Sequence, residues 1–180
     1  RCENFNCDLS RWQVGQVRSM DYMFLNCNKF DSDISGWNVG NVERMVAMFA
    51  NFSTYGTVFN RNLSDWNVSN VTIMMRMFEG ATKFNNGRAA KIFNNGSEDV
   101  LKNDGLNKWN TSKVHNMTYM FKDAVSFNCD LSEWYIPAPR LLKDMFSGSF
   151  GYNPPEGHSL GERVGERADR TIDPSAMEVL

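Results

Sequence analysis

Residues 62–85 read NLSDWNVSNVTIMMRMFEGATKFN, and the same wording recurs along the chain. Aligned on Trp66, the segment has counterparts at Trp12, Trp37, Trp109 and Trp134, which together account for every Trp present. Twelve residues after each stands a Phe (Phe24, Phe49, Phe78, Phe121, Phe146), always preceded by a Met (Met23, Met48, Met77, Met120, Met145). Three positions before those Met lie Met20, Met45, Met74, Met117 and then Leu142. Nine of the eleven Met therefore fall in two columns, so they read as structural and not as a metal or cofactor box.

Other columns are as regular. Leu9, Ile34, Leu63, Leu106 and Leu131 precede the Trp; Val14, Val39, Val68, Thr111 and Ile136 follow it; Val17, Val42, Val71 and Val114 come next, with Pro139 in the last copy. Each unit opens on an aromatic and an Asn or Asp: Phe5-Asn6, Phe30-Asp31, Phe59-Asn60, Phe84-Asn85 and Phe127-Asn128. The period is 25 residues from Trp12 to Trp37 and from Trp109 to Trp134, 29 from Trp37 to Trp66, and 43 from Trp66 to Trp109. Columns that stay in register across such insertions mark an internal repeat.

A unit this short cannot bury its own Trp, Phe, Met and Leu, so successive units must stack into one core. The alternation around Trp-Asn-Val predicts a short strand, with neighbouring strands roughly 4.8 Å apart. The apolar steps of three and four that follow predict one or two helical turns ending near the Phe, with Thr72 as the clearest N-cap. The expected fold is an α/β repeat solenoid of about five stacked 25-residue turns, each with a short strand and a short helix. It spans residues 1–153, carries an insertion at 87–104, and is followed by a non-repeat tail at 154–180. Asn after the Trp (Asn38, Asn67, Asn110) and after the opening Phe is expected to satisfy backbone groups between turns.

The units FDSDISGWNVGNVERMVAMF (30–49) and FNRNLSDWNVSNVTIMMRMF (59–78) resemble the BspA-type, leucine-rich-repeat-like surface-protein family, also known as the DUF285 repeat. Its pattern is close to F-N-x-D-[IL]-S-x-W-[DN]-V-S-N-V-x-x-M-x-x-M-F. The likeness covers about residues 1 to 150, with departures at Asn107, Thr111, Tyr135, Pro137, Pro139 and Leu142. It implies a solenoid of short strands and helices in a surface-exposed or secreted protein, and it implies no activity.

Composition narrows the function classes. A net charge of −2 with no basic face gives no electrostatic case for nucleic acid. No apolar run is long enough to span a bilayer as a helix. The chain starts at Arg1 without an initiator Met or a signal peptide, so a trimmed form is expected, exported, surface-bound or organelle-targeted after loss of a leader.

Cys2 and Cys27 stand one period apart, each three residues before an opening Phe. Stacking would bring them near the roughly 4.4–6.8 Å Cα separation of a disulfide. They read either as a bridge stapling the first turn or as two small thiols, since Gly56, Ala81 and Ala124 share the column. Cys7 and Cys129 also share a column, but four turns place them roughly 19 Å apart. Of the seven Asn-x-Ser/Thr sequons, most follow from the repeated wording; Asn95, in the insertion, is the glycosylation candidate.

No catalytic constellation emerges. The two His, His115 and His158, have no metal-spaced partners, and no Gly-rich phosphate loop follows a strand. Asp31-Ser32-Asp33 lacks the Gly and terminal Glu of a calcium loop, and the Ser column (Ser10, Ser35, Ser64, Ser132) reads as turn chemistry. No cofactor and no metal is therefore expected, and the chain reads as non-enzymatic.

Function is expected in what interrupts the repeat. In the insertion, Arg88, Ile92 and Phe93 are candidate partner contacts on a short predicted helix. The array aborts after Tyr152-Asn153 at Pro154-Pro155, and the polar tail beyond has no core of its own. Its Arg163, Arg167, Arg170, Met177 and Leu180 are candidate contacts with the stack or another chain. The expected function is a non-catalytic protein–protein interaction module or structural scaffold. It would be either a cell-surface or secreted protein or an accessory subunit stabilising a larger assembly. The alternative is a carbohydrate or surface-ligand adhesin, with Tyr55 and Tyr119 as the aromatic candidates outside the columns.

Overall fold

The computed structural model describes residues 2–88, 105–135, 142–150 and 152, and in it the repeated units lie one on another. Phe24, Phe49, Phe78, Phe121 and Phe146 form one file of near-parallel rings, with centroids 5.3–5.7 Å apart. The opening residues Phe5, Phe30, Phe59, Phe84, Phe127 and Tyr152 form a second, spaced 5.6–6.2 Å. Where one unit ends and the next opens, the two files touch at 3.8–4.2 Å. Burying these rings with the Trp, Met and Leu columns gives one continuous core, held by the area removed from water and by ring stacking.

The expected strand and helix in each turn do not form. Among the described residues there is no α-helix and no strand; what remains is a single 3-10 turn, Leu106–Lys108, and isolated parallel bridges linking Ser19, Arg44, Ile73 and Asn116. The α/β solenoid is thus corrected to a stack of irregular turns. The Trp-Asn-Val stretch is extended too briefly to pair, because a turn closes on either side: Trp66 N–H donates to the Leu63 carbonyl and Val71 N–H to that of Val68.

The apparent helix fails for a different reason. Tyr22, Ala47, Arg76, Tyr119 and Asp144, one residue from each unit at the same position, all have φ between +49° and +61°. A right-handed helix needs φ near −60°. A left-handed residue at that point breaks the run into overlapping turns, as where Met77, Glu79 and Ala81 donate to the carbonyls of Met74, Arg76 and Phe78. The alternate N–H groups then point out of the unit. Met74, Arg76, Phe78 and Gly80 donate to Asn116, Thr118, Met120 and Lys122 of the next unit at 2.8–2.9 Å. The same forward pattern joins Met20, Tyr22, Phe24 and Asn26 to Arg44, Val46, Met48 and Ala50, and Tyr119, Phe121 and Asp123 to Lys143, Met145 and Ser147. The three- and four-residue apolar steps belong to these turns.

Polar columns complete the stack. Asn6, Asp31, Asn60 and Asn85 each use a side-chain oxygen to accept the backbone N–H of the matching Asp or Asn in the next unit, at 2.8–3.1 Å. Asn after the Trp behaves otherwise: Asn38, Asn67 and Asn110 are exposed and accept from the N–H two residues on, closing their own turns.

Candidate functional site

Where the period lengthens between Phe49 and Phe59, the chain makes a built loop at 51–58. Its frame is Asn51, only 5% exposed. The Asn51 amide donates to Asn28 Oδ1 at 2.7 Å and to the Gly56 carbonyl at 2.8 Å. Its oxygen accepts from Ser53 N–H and from the Ser53 hydroxyl. Phe52 N–H is held by Asn26 Oδ1, and Val58 N–H by the Asn28 carbonyl. Gly56 closes the turn at φ +65°, and a Cβ there would lie 2.4 Å from Thr82 Oγ1, so both conformation and space call for glycine. On this frame Phe52 is 53% exposed, Tyr55 86% and Val58 45%.

A second feature is a shallow polar depression of 340 Å³ lined by Arg18, Asn41, Glu43, Asn70, Thr72 and Lys113. Its side chains are spent on one another and on adjacent units. Arg18 pairs with Glu43 at 2.5 Å, Lys113 donates to Asn70 Oδ1 at 2.7 Å, and Thr72 donates to the Glu43 carbonyl at 3.0 Å. Asn41 and Asn70 donate to the carbonyls of Gly15 and Gly40. Another hollow, of 270 Å³, is lined by Asp33, Ser35, Asn60, Arg61, Asn62 and Gly87. There Ser35, through its hydroxyl and then its N–H, holds the Asp33 carboxyl below its ordinary value.

The third feature is a charged cluster. The side chain of Glu79 is nearly buried between Arg76 at 2.7 Å and Lys122 at 3.3 Å, and Arg76 lies over the Tyr119 ring at 4.6 Å. A buried carboxylate is tolerable because two cations offset it. One face of Tyr119 is thus already occupied, whereas Tyr55 stands free of the stack.

Cys2 and Cys27 are free thiols in this structure, one exposed and the other buried. Lys29 N–H donates to the Glu3 carbonyl at 3.1 Å, which lays the two segments side by side, and burial first and Cys2 second raise the Cys27 thiol pKa. Arg88 follows the fourth opener: its N–H donates to the Asn85 carbonyl, and its own carbonyl accepts from Asn60 Nδ2. Ile92, Phe93, Asn95, Arg163, Arg167, Arg170, Met177 and Leu180 lie outside the described residues. The sequon at Asn51 is buried in the loop frame. Among the described residues no group of His, Cys, Asp or Glu is placed to hold a metal ion, and no helix is long and apolar enough to cross a membrane. Of the loop at 51–58, sequence reasoning named Tyr55 alone and passed over Phe52 and Val58. Its signal was the extra residues, the off-column Phe52 and Tyr55, and Gly56.

Five copies of one unit, stacked through shared columns, define a chain built by repetition of a single structural turn. It belongs to the family described as "Mycoplasma protein of unknown function, DUF285", whose model matches residues 1–96 and 89–160. No curated protein and no solved structure matches it.

Proposed function

We propose that the chain is a non-catalytic protein–protein interaction scaffold and that the loop at 51–58 is a surface it presents to a partner. The observation that carries this reading is the pairing of a rigid, glycine- and asparagine-built frame with the exposed Phe52, Tyr55 and Val58. Large apolar side chains held out on an ordered loop fit the aromatic anchors of protein interfaces. The polar depressions offer less, since their side chains already satisfy one another. Within this reading the partner is a cell-surface protein or a subunit of a larger assembly, and the protein is exported or organelle-targeted. Arg88, Ile92, Phe93 and the tail residues Arg163, Arg167, Arg170, Met177 and Leu180 are proposed as further contacts.

The test is affinity capture with the intact chain and with a Phe52→Ser/Tyr55→Ser double variant of unchanged fold. Loss of a specific partner from the variant supports the reading; a partner retained undiminished by the variant sinks it. The second reading, carbohydrate binding, rests on the free ring of Tyr55. Glycan binding by a chain without a protein partner, abolished by Tyr55→Ala alone, would put it first.

A further inference from the structure

The residue before each opening aromatic belongs to a row along one edge of the stack. Across the second, third and fourth units that row reads Lys29, Val58 and Lys83, and all three are exposed. The openers that follow them, Phe30, Phe59 and Phe84, are buried and stack at 5.6 and 6.0 Å. Val58 N–H donates to the carbonyl of Asn28, the residue before Lys29. Thr82 Oγ1, one residue before Lys83, donates to the Thr57 carbonyl. The loop at 51–58 is therefore seated between the two lysines, one rung from each.

Neither ammonium is spent within the stack. Lys29 and Lys83 form no ion pair among the described residues, whereas Arg18, Arg44, Arg61, Arg76 and Lys122 each hold a carboxylate. Glu79 is taken by Arg76 and Lys122. Glu3, whose carbonyl accepts from Lys29 N–H, belongs to the rung beyond Lys29, on the side away from Val58. Two rungs set the lysine backbones roughly 10 Å apart. Between them stands Val58, and the exposed rings of Phe52 and Tyr55 rise from the same loop. The edge thus presents an apolar centre with a cation on either side.

We propose that the element seated on this loop is an acidic segment of another protein. Its apolar or aromatic side chain would meet Phe52, Tyr55 and Val58, and carboxylates on both sides of that anchor would meet Lys29 and Lys83. This rests on the reading of the loop as a partner surface and adds the chemistry of what binds there. Burial of the apolar groups supplies the adhesion. The lysines supply selection: they speed encounter with a segment of opposite charge and repel a basic one. Both are exposed, so their influence fades as salt is added. An anionic membrane would meet the same charges, but a net charge of −2 and two lysines at this edge fall short of the cluster of about 4–8 basic residues that a lipid site uses.

The test is selection of a random peptide library on the intact chain, with the enriched peptides synthesised and titrated by fluorescence anisotropy. Phe52→Ser/Tyr55→Ser removes the anchors, and Lys29→Glu/Lys83→Glu reverses the flanking charges. All four side chains are exposed, and near-ultraviolet circular dichroism checks that each variant keeps the native packing. The expected peptides carry Asp or Glu on both sides of an apolar residue. Their affinity should fall at least tenfold in each double variant and weaken on the parent chain as salt is added. Peptides that need Phe52 and Tyr55 but show no acidic excess, or bind Lys29→Glu/Lys83→Glu undiminished, overturn the proposal and leave the loop a partner surface. A selection without any peptide that depends on Phe52 and Tyr55 overturns both. Co-sedimentation with phosphatidylcholine–phosphatidylserine vesicles that depends on the same four residues, where no such peptide is found, assigns the surface to lipid and likewise overturns the proposal.

Discussion

Trp66 Nε1 donates to the Ile34 carbonyl at 3.1 Å, tying the third unit to the second across 32 residues of sequence. Both residues are buried, so removing the donor orphans a lone pair that water does not reach. Trp66→Phe, which keeps most of the ring area, should therefore cost about 1–3 kcal/mol. The denaturant midpoint should fall at an unchanged slope. A loss under about 0.5 kcal/mol would show that the bond merely replaces one to water.

Ala47 separates the turn stack from a helix by magnitude. It is fully buried at φ +49°. In a helix, Ala47→Gly would cost about 1 kcal/mol of propensity and about 0.8 kcal/mol for the buried methyl. In the left-handed region the relief of a Cβ penalty of about 1–2 kcal/mol offsets the lost methyl and the unfolded-state entropy. We expect Ala47→Gly to change stability by less than about 0.5 kcal/mol, read from the thermal midpoint.

The loop at 51–58 depends on one amide. Asn51→Ala strands the Gly56 carbonyl and Ser53 N–H, while Asn28 Oδ1 keeps the Ser53 hydroxyl, at a cost of about 1–3 kcal/mol. Its effect on binding should exceed its effect on stability, because the frame aims Phe52 and Tyr55. Faster amide exchange confined to residues 51–58 is the expected signature; exchange raised evenly through the stack would place Asn51 in the core instead.

Asp33 and Asp8 should titrate below their ordinary 3.8, each held down by hydrogen bonds from the Ser two residues on. A carboxyl whose folded pKa is depressed stabilises the fold fully above its unfolded value, and that contribution is lost as pH falls through the lower folded one. Asp33→Asn should therefore be less stable than the parent chain near neutrality. The gap should close in acid below the folded value, as followed by urea midpoints across pH.

Cys2 and Cys27 should join under an oxidising buffer. The exposed Cys2 would be oxidised first, since burial keeps the Cys27 thiol protonated. Closing a loop of that length should add about 3 kcal/mol relative to the reduced chain. Peptide mapping without reductant is the check, and a Cys2–Cys7 pairing would contradict the column argument.

The columns were legible because stacking forces each buried position to recur, and Trp12, Trp37 and Trp66 set the register without help. Secondary structure was not legible from Met74, Met77 and Phe78, since overlapping turns and a helical turn both place apolar groups three or four residues apart. The discriminating signal was a polar one. Asn26, Gly80, Asp123 and Gly148 share a column, and these are residue types that tolerate the left-handed conformation. The first such column carries no signal at all, since Tyr22, Ala47 and Arg76 are there by tertiary imposition. The loop at 51–58 was visible as extra length, but its orientation came from the Asn28–Asn51 contact, which no local pattern announces.

The forward ladder has an electrical consequence. Within that ladder, from Met20 to Ser147, the N–H groups point the same way and their peptide dipoles, about 3.5 D each, add along the stack, offset in part by the backward bonds of Glu43, Thr72 and His115. Each turn lengthens that macrodipole, with the Asp21 end negative and the Gly148 end positive. In a field or beside a charged surface, the molecule has a preferred direction in which to stand.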